Sequence, residues 1–303
     1  MTAPPRLFDR ALLRARRLRA VARGAETFLL DRIAQDLAER LQTVTRRFAL
    51  ALDLGTPGES LRRALAGRGQ IETLIACEPF ADLRDAAAGP RVAADEEALP
   101  FANATLDLVV SALSLQWTND LPGTLTQICR ALKPDGLLLA ALPGGDTLTE
   151  LRQCLALAED EIEGGASPRV APFVEVRALG SLLQRAGFAL PVTDVDRLTV
   201  RYASMIDLLR DLRRMGATNA LIERRRTPLR RATLARAAAL YAERFADPDG
   251  RLRATFDVLW ISGWAPHASQ QKPLKPGSAK MRLADALGTR ERSAGEKAGP
   301  RKN

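Results

Sequence analysis

One histidine, His267, three cysteines and an aromatic content of 5% are what this 303-residue chain has least of. A metal centre of two histidines and a carboxylate cannot be assembled around a single imidazole, so no metal role is expected. Cys77, Cys129 and Cys154 fall inside apolar or helical patterns without paired spacing and read as reduced core thiols, not as a disulfide framework. No apolar run approaches the roughly 18 to 20 residues that span a bilayer, which excludes a transmembrane helix. The few aromatics also leave the arginine-rich segment 208–240 without the interleaved rings that base stacking requires, so nucleic acid is not an expected partner.

What is present suffices for one large core: 46% of the residues are hydrophobic. The formal net charge is +9, and most of it sits at one end, because residues 272–303 carry nine Lys and Arg against three acids. That segment, rich in Lys, Gly, Pro and Ser, reads as a basic, disordered tail over 271–303. At the other end an acid-free arginine helix over 11–22 and an amphipathic helix over 26–41 form an N-terminal extension, residues 1–45. Between them, 46–270 reads as one α/β domain with a helical insertion at about 200–245.

The most informative stretch is 49–141. Ala-Leu-Ala-Leu-Asp-Leu at 49–54 is too apolar for a half-exposed strand and reads as a buried parallel one, with Gly55 and Gly58 in the turn that follows. A second apolar run, 71–77, ends at Glu78, where an acid can accept two hydrogen bonds from a ribose diol. Asp95 and Glu96 precede Leu99-Pro100-Phe101, and the strand 106–111, ending in Ser111, leads into Leu115-Gln116-Trp117.

That order resembles the class I S-adenosylmethionine (SAM) methyltransferases. The resemblance implies a Rossmann-like, seven-stranded fold whose last two strands, assigned to 192–200 and 253–263, form an antiparallel hairpin. It implies SAM as the cofactor, held by Asp53, Gly55, Glu78, Asp95, Glu96 and Ser111, with Asp95 beside the adenine. One departure bears on affinity: Pro57 and Glu59 stand where further glycines would, the first without an N–H donor and the second with a charge that repels the methionine carboxylate if it points inward.

Further segments extend the resemblance over about 7–280: Leu-Phe-Asp-Arg at 7–10, Gly-Gly-Asp at 144–146, Met-Gly-Ala-Thr-Asn at 215–219 and Gly-Trp-Ala-Pro-His at 263–267. Together they are similar to the respiratory complex I assembly factors of the methyltransferase superfamily and, more distantly, to the malonyl-carrier-protein methyltransferases of biotin synthesis. The resemblance implies a SAM-dependent methyltransferase-like protein acting on a protein substrate, a quinone-module subunit of complex I. The alternatives it leaves open are hydroxylation of an arginine of that subunit and a non-catalytic assembly chaperone with a degenerate SAM site.

Gln116, Trp117 and Asp146 are the catalytic candidates, since the carboxyl edge of an open α/β sheet is where ligands bind. For Asp146, capping of a helix over 147–161 is the competing reading. Residues 208–240 read as a docking element for a protein partner, with Leu212 and Met215 as apolar anchors. The expected location is a bacterial cytoplasm, with peripheral proximity to the inner face of the membrane.

Overall fold

The computed structural model describes residues 6–79, 89–271, 278 and 281–290. Strand β1 (Phe48–Leu54) lies between β2 (Ile71–Glu78) and β4 (Leu106–Ala112), parallel to both. The full sheet has seven strands in the order β3-β2-β1-β4-β5-β7-β6, where β3 is Arg91–Ala93, β5 Leu132–Pro143, β6 Ala189–Tyr202 and β7 Leu252–Trp264. β7 runs antiparallel to both β5 and β6, and the other pairings are parallel. The strand order reverses at β1 and β4, which opens a crevice beyond their carboxyl ends.

Alternate residues of the central strands feed two cores. Leu137, Leu139 and Ala141 of β5 pack on one face of the sheet with α2 (Phe28–Gln42) and α5 (Thr149–Glu163). Leu138, Ala140 and Leu142 pack on the other with α4 (Leu121–Ala131) and α6 (Val176–Arg185). A period of two with both faces covered explains why these strands read as continuous apolar runs, each buried leucine contributing about 1.5–3 kcal/mol.

The remaining helices are α1 (Arg10–Ala22), α3 (Ser60–Leu65), α7 (Met205–Arg214) and α8 (Arg231–Phe245). α7 and α8 connect the two strands of the expected hairpin, which the structure extends by a few residues at most ends. α1 and α2 belong to the same compact unit as the sheet, which runs to His267. Beyond it, the short helix α9 (Leu283–Ala286) is described, while 272–277, 279–280 and 291–303 of the expected basic tail lie outside the described residues. Among the described residues no helix is long and apolar enough to cross a membrane.

One helix start differs from the sequence reading. α5 begins at Thr149 behind Leu148, whose φ of 55° is left-handed, and no side chain caps it. Asp146 is instead engaged by Arg197, which also holds Asp257 at 2.7 Å.

Candidate cofactor and acceptor site

The turn after β1 is built from two left-handed glycines, Gly55 (φ 70°) and Gly58 (φ 68°). Its position is fixed from behind: Thr56 Oγ1 accepts the Ala112 N–H at 2.9 Å, and Ser111 Oγ donates to the Leu54 carbonyl at 2.7 Å. A side chain at Gly55 would collide with Ser114 Oγ and the Glu96 carboxylate, so only glycine lets the three groups share this space. Asp53, at the end of β1, is fully buried.

Above this turn lies a cavity of about 350 Å³. One wall carries Pro57, Gly58, Glu78, Gln116, Trp117 and Thr147, from the segments that follow β1, β4 and β5 and from the end of β2 itself. The opposite wall carries Arg17 from α1, Leu30 from α2, Leu151 from α5, and Leu212, Met215 and Asn219 from the helical insertion. Three of the expected residues therefore line the cavity: Glu78, Gln116 and Trp117. Asp53, Gly55, Asp95, Glu96 and Ser111 are not among its lining residues, and the Ser111 hydroxyl is spent on the Leu54 carbonyl. Asp146 is not among the lining residues; it lies exposed, in its ion pair with Arg197.

The electrostatics of the edge come from α1. Arg10 pairs with Asp95 at 3.0 Å and with the buried Glu96, and its guanidinium also donates to the Trp117 carbonyl at 3.1 Å. Burial lowers the affinity of Arg10 for its proton, but attraction by Glu96 and then Asp95 outweighs it and holds the group above its ordinary value. Burial pushes Arg17 down to about 10, against the attraction of Glu96 and Glu78 and with the help of repulsion from Arg10. Glu59 lies 3.5 Å from both Arg62 and Arg91. Its carboxylate thus faces two cations, and it is not among the cavity-lining residues, whereas Pro57 does stand in the cavity wall.

These residues fit a SAM-type cofactor. Glu78, 4% exposed at the end of β2, presents a carboxylate to the cavity where a ribose diol would bind, and the glycine turn lets the backbone approach the methionine half. Gln116 adds a polar group to the cavity lining. Its amide nitrogen donates to the Leu113 carbonyl at 2.8 Å, and its Oε1 is buried with no hydrogen bond among the described residues.

The N-terminal segment forms a strap tied to this site. The N–H groups of Leu7 and Phe8 donate to Asn119 Oδ1 at 2.8 and 2.7 Å, and Phe8 meets the edge of Trp117 with ring centroids 5.3 Å apart. Asp9 N–H donates to the Ala220 carbonyl at 2.8 Å, Arg224 pairs with Asp9 at 3.2 Å, and Arg16 donates to the Asn219 carbonyl. Asn219 Nδ2 in turn donates to the Pro168 carbonyl at 2.6 Å. The motifs at 7–10 and 215–219, which looked independent in the sequence, are parts of one joint, completed by Asn119.

The insertion corrects the docking expectation. Leu208 and Leu212 are buried in the core, and Leu212 and Met215 face the cavity, so neither is an outward anchor. Its arginines are largely engaged within the chain: Arg210 with Asp207, Arg225 with Glu163, and Arg236 with Glu161. Among the described residues no group of three or more His, Cys, Asp or Glu is placed to hold a metal. The sequence reading held Arg10, Gly216 and Asn219 only as motif residues of the resemblance, with no site role, and did not single out Arg17 or Asn119. The available signal was the seven-residue spacing of Arg10 and Arg17, which puts both on one face of an acid-free helix.

A methyltransferase domain model matches residues 52–140. SAM is the cofactor that such a domain implies. The solved structures of the YcgJ protein of Bacillus subtilis (TM-score 0.52, 14% identity, covering 77% of this chain and 98% of that one) and of a Bacillus halodurans protein (TM-score 0.53, 13% identity, 77% and 99%) share the fold. Among curated proteins, the malonyl-[acyl-carrier protein] O-methyltransferase of Laribacter hongkongensis is 36% identical over 89% of this chain and 94% of its own length. The mitochondrial arginine-hydroxylase NDUFAF5 is 42% identical in Danio rerio, over 85% of this chain and 81% of that protein, and 40% identical in Homo sapiens, over 92% and 83%. At that identity and coverage, the chain belongs to the NDUFAF5 family of the methyltransferase fold.

Proposed function

We propose that this chain binds SAM in the cavity between β1, β2, β4 and the strap, and that it modifies an arginine side chain of a protein partner during respiratory complex I assembly. The observation that carries the reading is the likeness to the human arginine-hydroxylase over 92% of the chain. Gln116 supports an arginine acceptor: its buried Oε1 can take an N–H from a guanidinium beside the cofactor edge. Hydroxylation is the reaction the relatives' name points to. Methyl transfer is the second reading, favoured by the presence of Glu78 and the glycine turn on one cavity.

Deletion of the gene in its host, followed by intact-peptide mass spectrometry of complex I subunits, separates the readings. Loss of about 16 Da from an arginine peptide supports hydroxylation and loss of about 14 Da supports methylation, one oxygen against one methylene added by covalent modification. Unchanged masses with defective assembly would leave a non-catalytic chaperone. Unchanged masses with normal complex I would overturn the proposal.

A further inference from the structure

We infer that a second, smaller cavity beside the strap is the passage by which the acceptor arginine side chain of a protein partner reaches the cofactor cavity. The inference rests on the arginine reading of the proposed function and adds to it the acceptor's route.

The smaller cavity, of about 200 Å³, runs from the surface inward. Leu7, 43% exposed, and the exposed Pro172 stand at its outer end, and the fully buried Leu115 and Leu142 at its inner end. Gln116 and Phe173 line both this cavity and the cofactor cavity, so these two side chains form the partition. The volume is below the roughly 300–1,000 Å³ of pockets that hold whole small molecules, and it suits one inserted side chain.

The lining selects the kind of side chain. None of the lining residues is charged, and two carry polar side chains, Gln116 and Thr118. The Thr118 hydroxyl donates to the Leu115 carbonyl at 2.8 Å and the Gln116 amide nitrogen to the Leu113 carbonyl, which leaves Gln116 Oε1 as a buried acceptor without a hydrogen bond among the described residues. A buried acceptor is costly to leave unmet, so the complementary guest is a side chain with an apolar stem and an N–H donor at its tip. Arginine has both. Its guanidinium is less strongly hydrated than a lysine ammonium, and its five donors can meet Gln116 and still face the cofactor cavity.

The charges around the mouth favour a cation. Asp120, beside Leu121, and Glu175, beside Val174, are exposed carboxylates, and Glu97 accepts the Asp120 N–H at 3.3 Å. Arg6, beside Leu7, opposes them, whereas Arg10, which donates to the Trp117 carbonyl, is neutralised by Asp95 and Glu96. The mouth thus attracts a cationic segment and disfavours an acidic one.

The test is made in the host, with the gene deleted and variants of the full chain returned at limiting expression, and it reads the modified fraction of the arginine peptide by mass spectrometry. The S-adenosylhomocysteine affinity of each purified variant, by isothermal titration, reports an intact cofactor cavity. Pro172→Trp and Leu121→Trp, which fill the passage, should each lower the modified fraction about tenfold while S-adenosylhomocysteine affinity stays within about twofold. Gln116→Leu should also lower it about tenfold, and Gln116→Glu, which keeps an acceptor oxygen, by less. Glu175→Lys, which reverses a charge at the mouth, should lower it about threefold.

Full modification with both tryptophan variants would overturn the inference and leave the arginine reading intact. Modification lost together with S-adenosylhomocysteine binding in both would also overturn it, since the smaller cavity would then serve the cofactor. Pro172 is exposed, so its variant decides the matter if Leu121→Trp does not fold. No mass difference at any arginine peptide between wild type and deletion would overturn both the inference and the reading beneath it.

Discussion

The two walls of the cavity are made by opposite means. The sheet wall is local: Gly55, Gly58 and Glu78 sit at the ends of adjacent parallel strands, and their positions follow from backbone pairing such as Leu54 with Cys77. The strap wall is long-range. Leu7 and Phe8 reach Asn119, Asp9 reaches Ala220 and Arg224, and Arg17 packs on Gly216, contacts that join the start of the chain to segments more than 100 residues away. A shared fold can provide the first wall; the second depends on motifs that must occur together in one chain.

If the walls are distinct in this way, they should break separately. The largest effect is expected for Gly55→Ala, where a left-handed backbone and a collision with Ser114 and Glu96 combine. A loss of about 3 kcal/mol in urea unfolding is expected, with cofactor affinity lost at the same time. Gly216→Ala should cost about 2 kcal/mol, because the obstructing atoms include the Arg17 backbone and not only a movable side-chain end. Its signature should differ: faster amide exchange across 7–22, with protection of β1 and β2 retained. Equal exchange in both regions for both variants would show that the walls are one cooperative body.

A smaller effect should follow acidification. Burial raises the Glu159 carboxyl, but Arg169 and Ser167 prevail and hold it below its ordinary value; Glu163 is held low by Thr233 and then Arg225. Groups with lowered folded-state values contribute stability that is fully present above the ordinary value of 4.5 and is lost as pH falls through the folded-state value. Melting temperature should therefore fall as pH drops below about 4.5, and Arg225→Gln should shrink the part of that fall due to Glu163. A fall no smaller in Arg225→Gln would place the acid sensitivity elsewhere.

The sheet wall was legible because its signals are local and of short period. The apolar runs at 49–54 and 71–77, the Gly55 turn and the acid ending the second run each follow from a few adjacent residues, and the seven strands with their final hairpin followed from the resemblance they carry. The hairpin strands were placed within three residues of β6 and one of β7. Three readings failed for stated physical reasons. Asp146 does not cap α5, because Leu148 turns left-handed and Arg197 takes the carboxylate. Leu212 and Met215 face inward, since an amphipathic helix reads the same whether its apolar side meets a partner or its own core. The arginines of 208–240 looked like a cationic surface; Arg210 has its acid, Asp207, three residues away, but the acids of Arg224, Arg225 and Arg236 lie on the strap and α5, at separations no local pattern reveals. The strap itself was visible only as a list of motifs.

The central claim is that both walls close on one cofactor, and hydrogen–deuterium exchange with and without saturating S-adenosylhomocysteine tests it most directly. The expected result is slowed exchange at the sheet wall, 53–60 and 74–79, and together with it slowed exchange in 10–22 and 215–220. Protection confined to the sheet wall, or none at all, would contradict it.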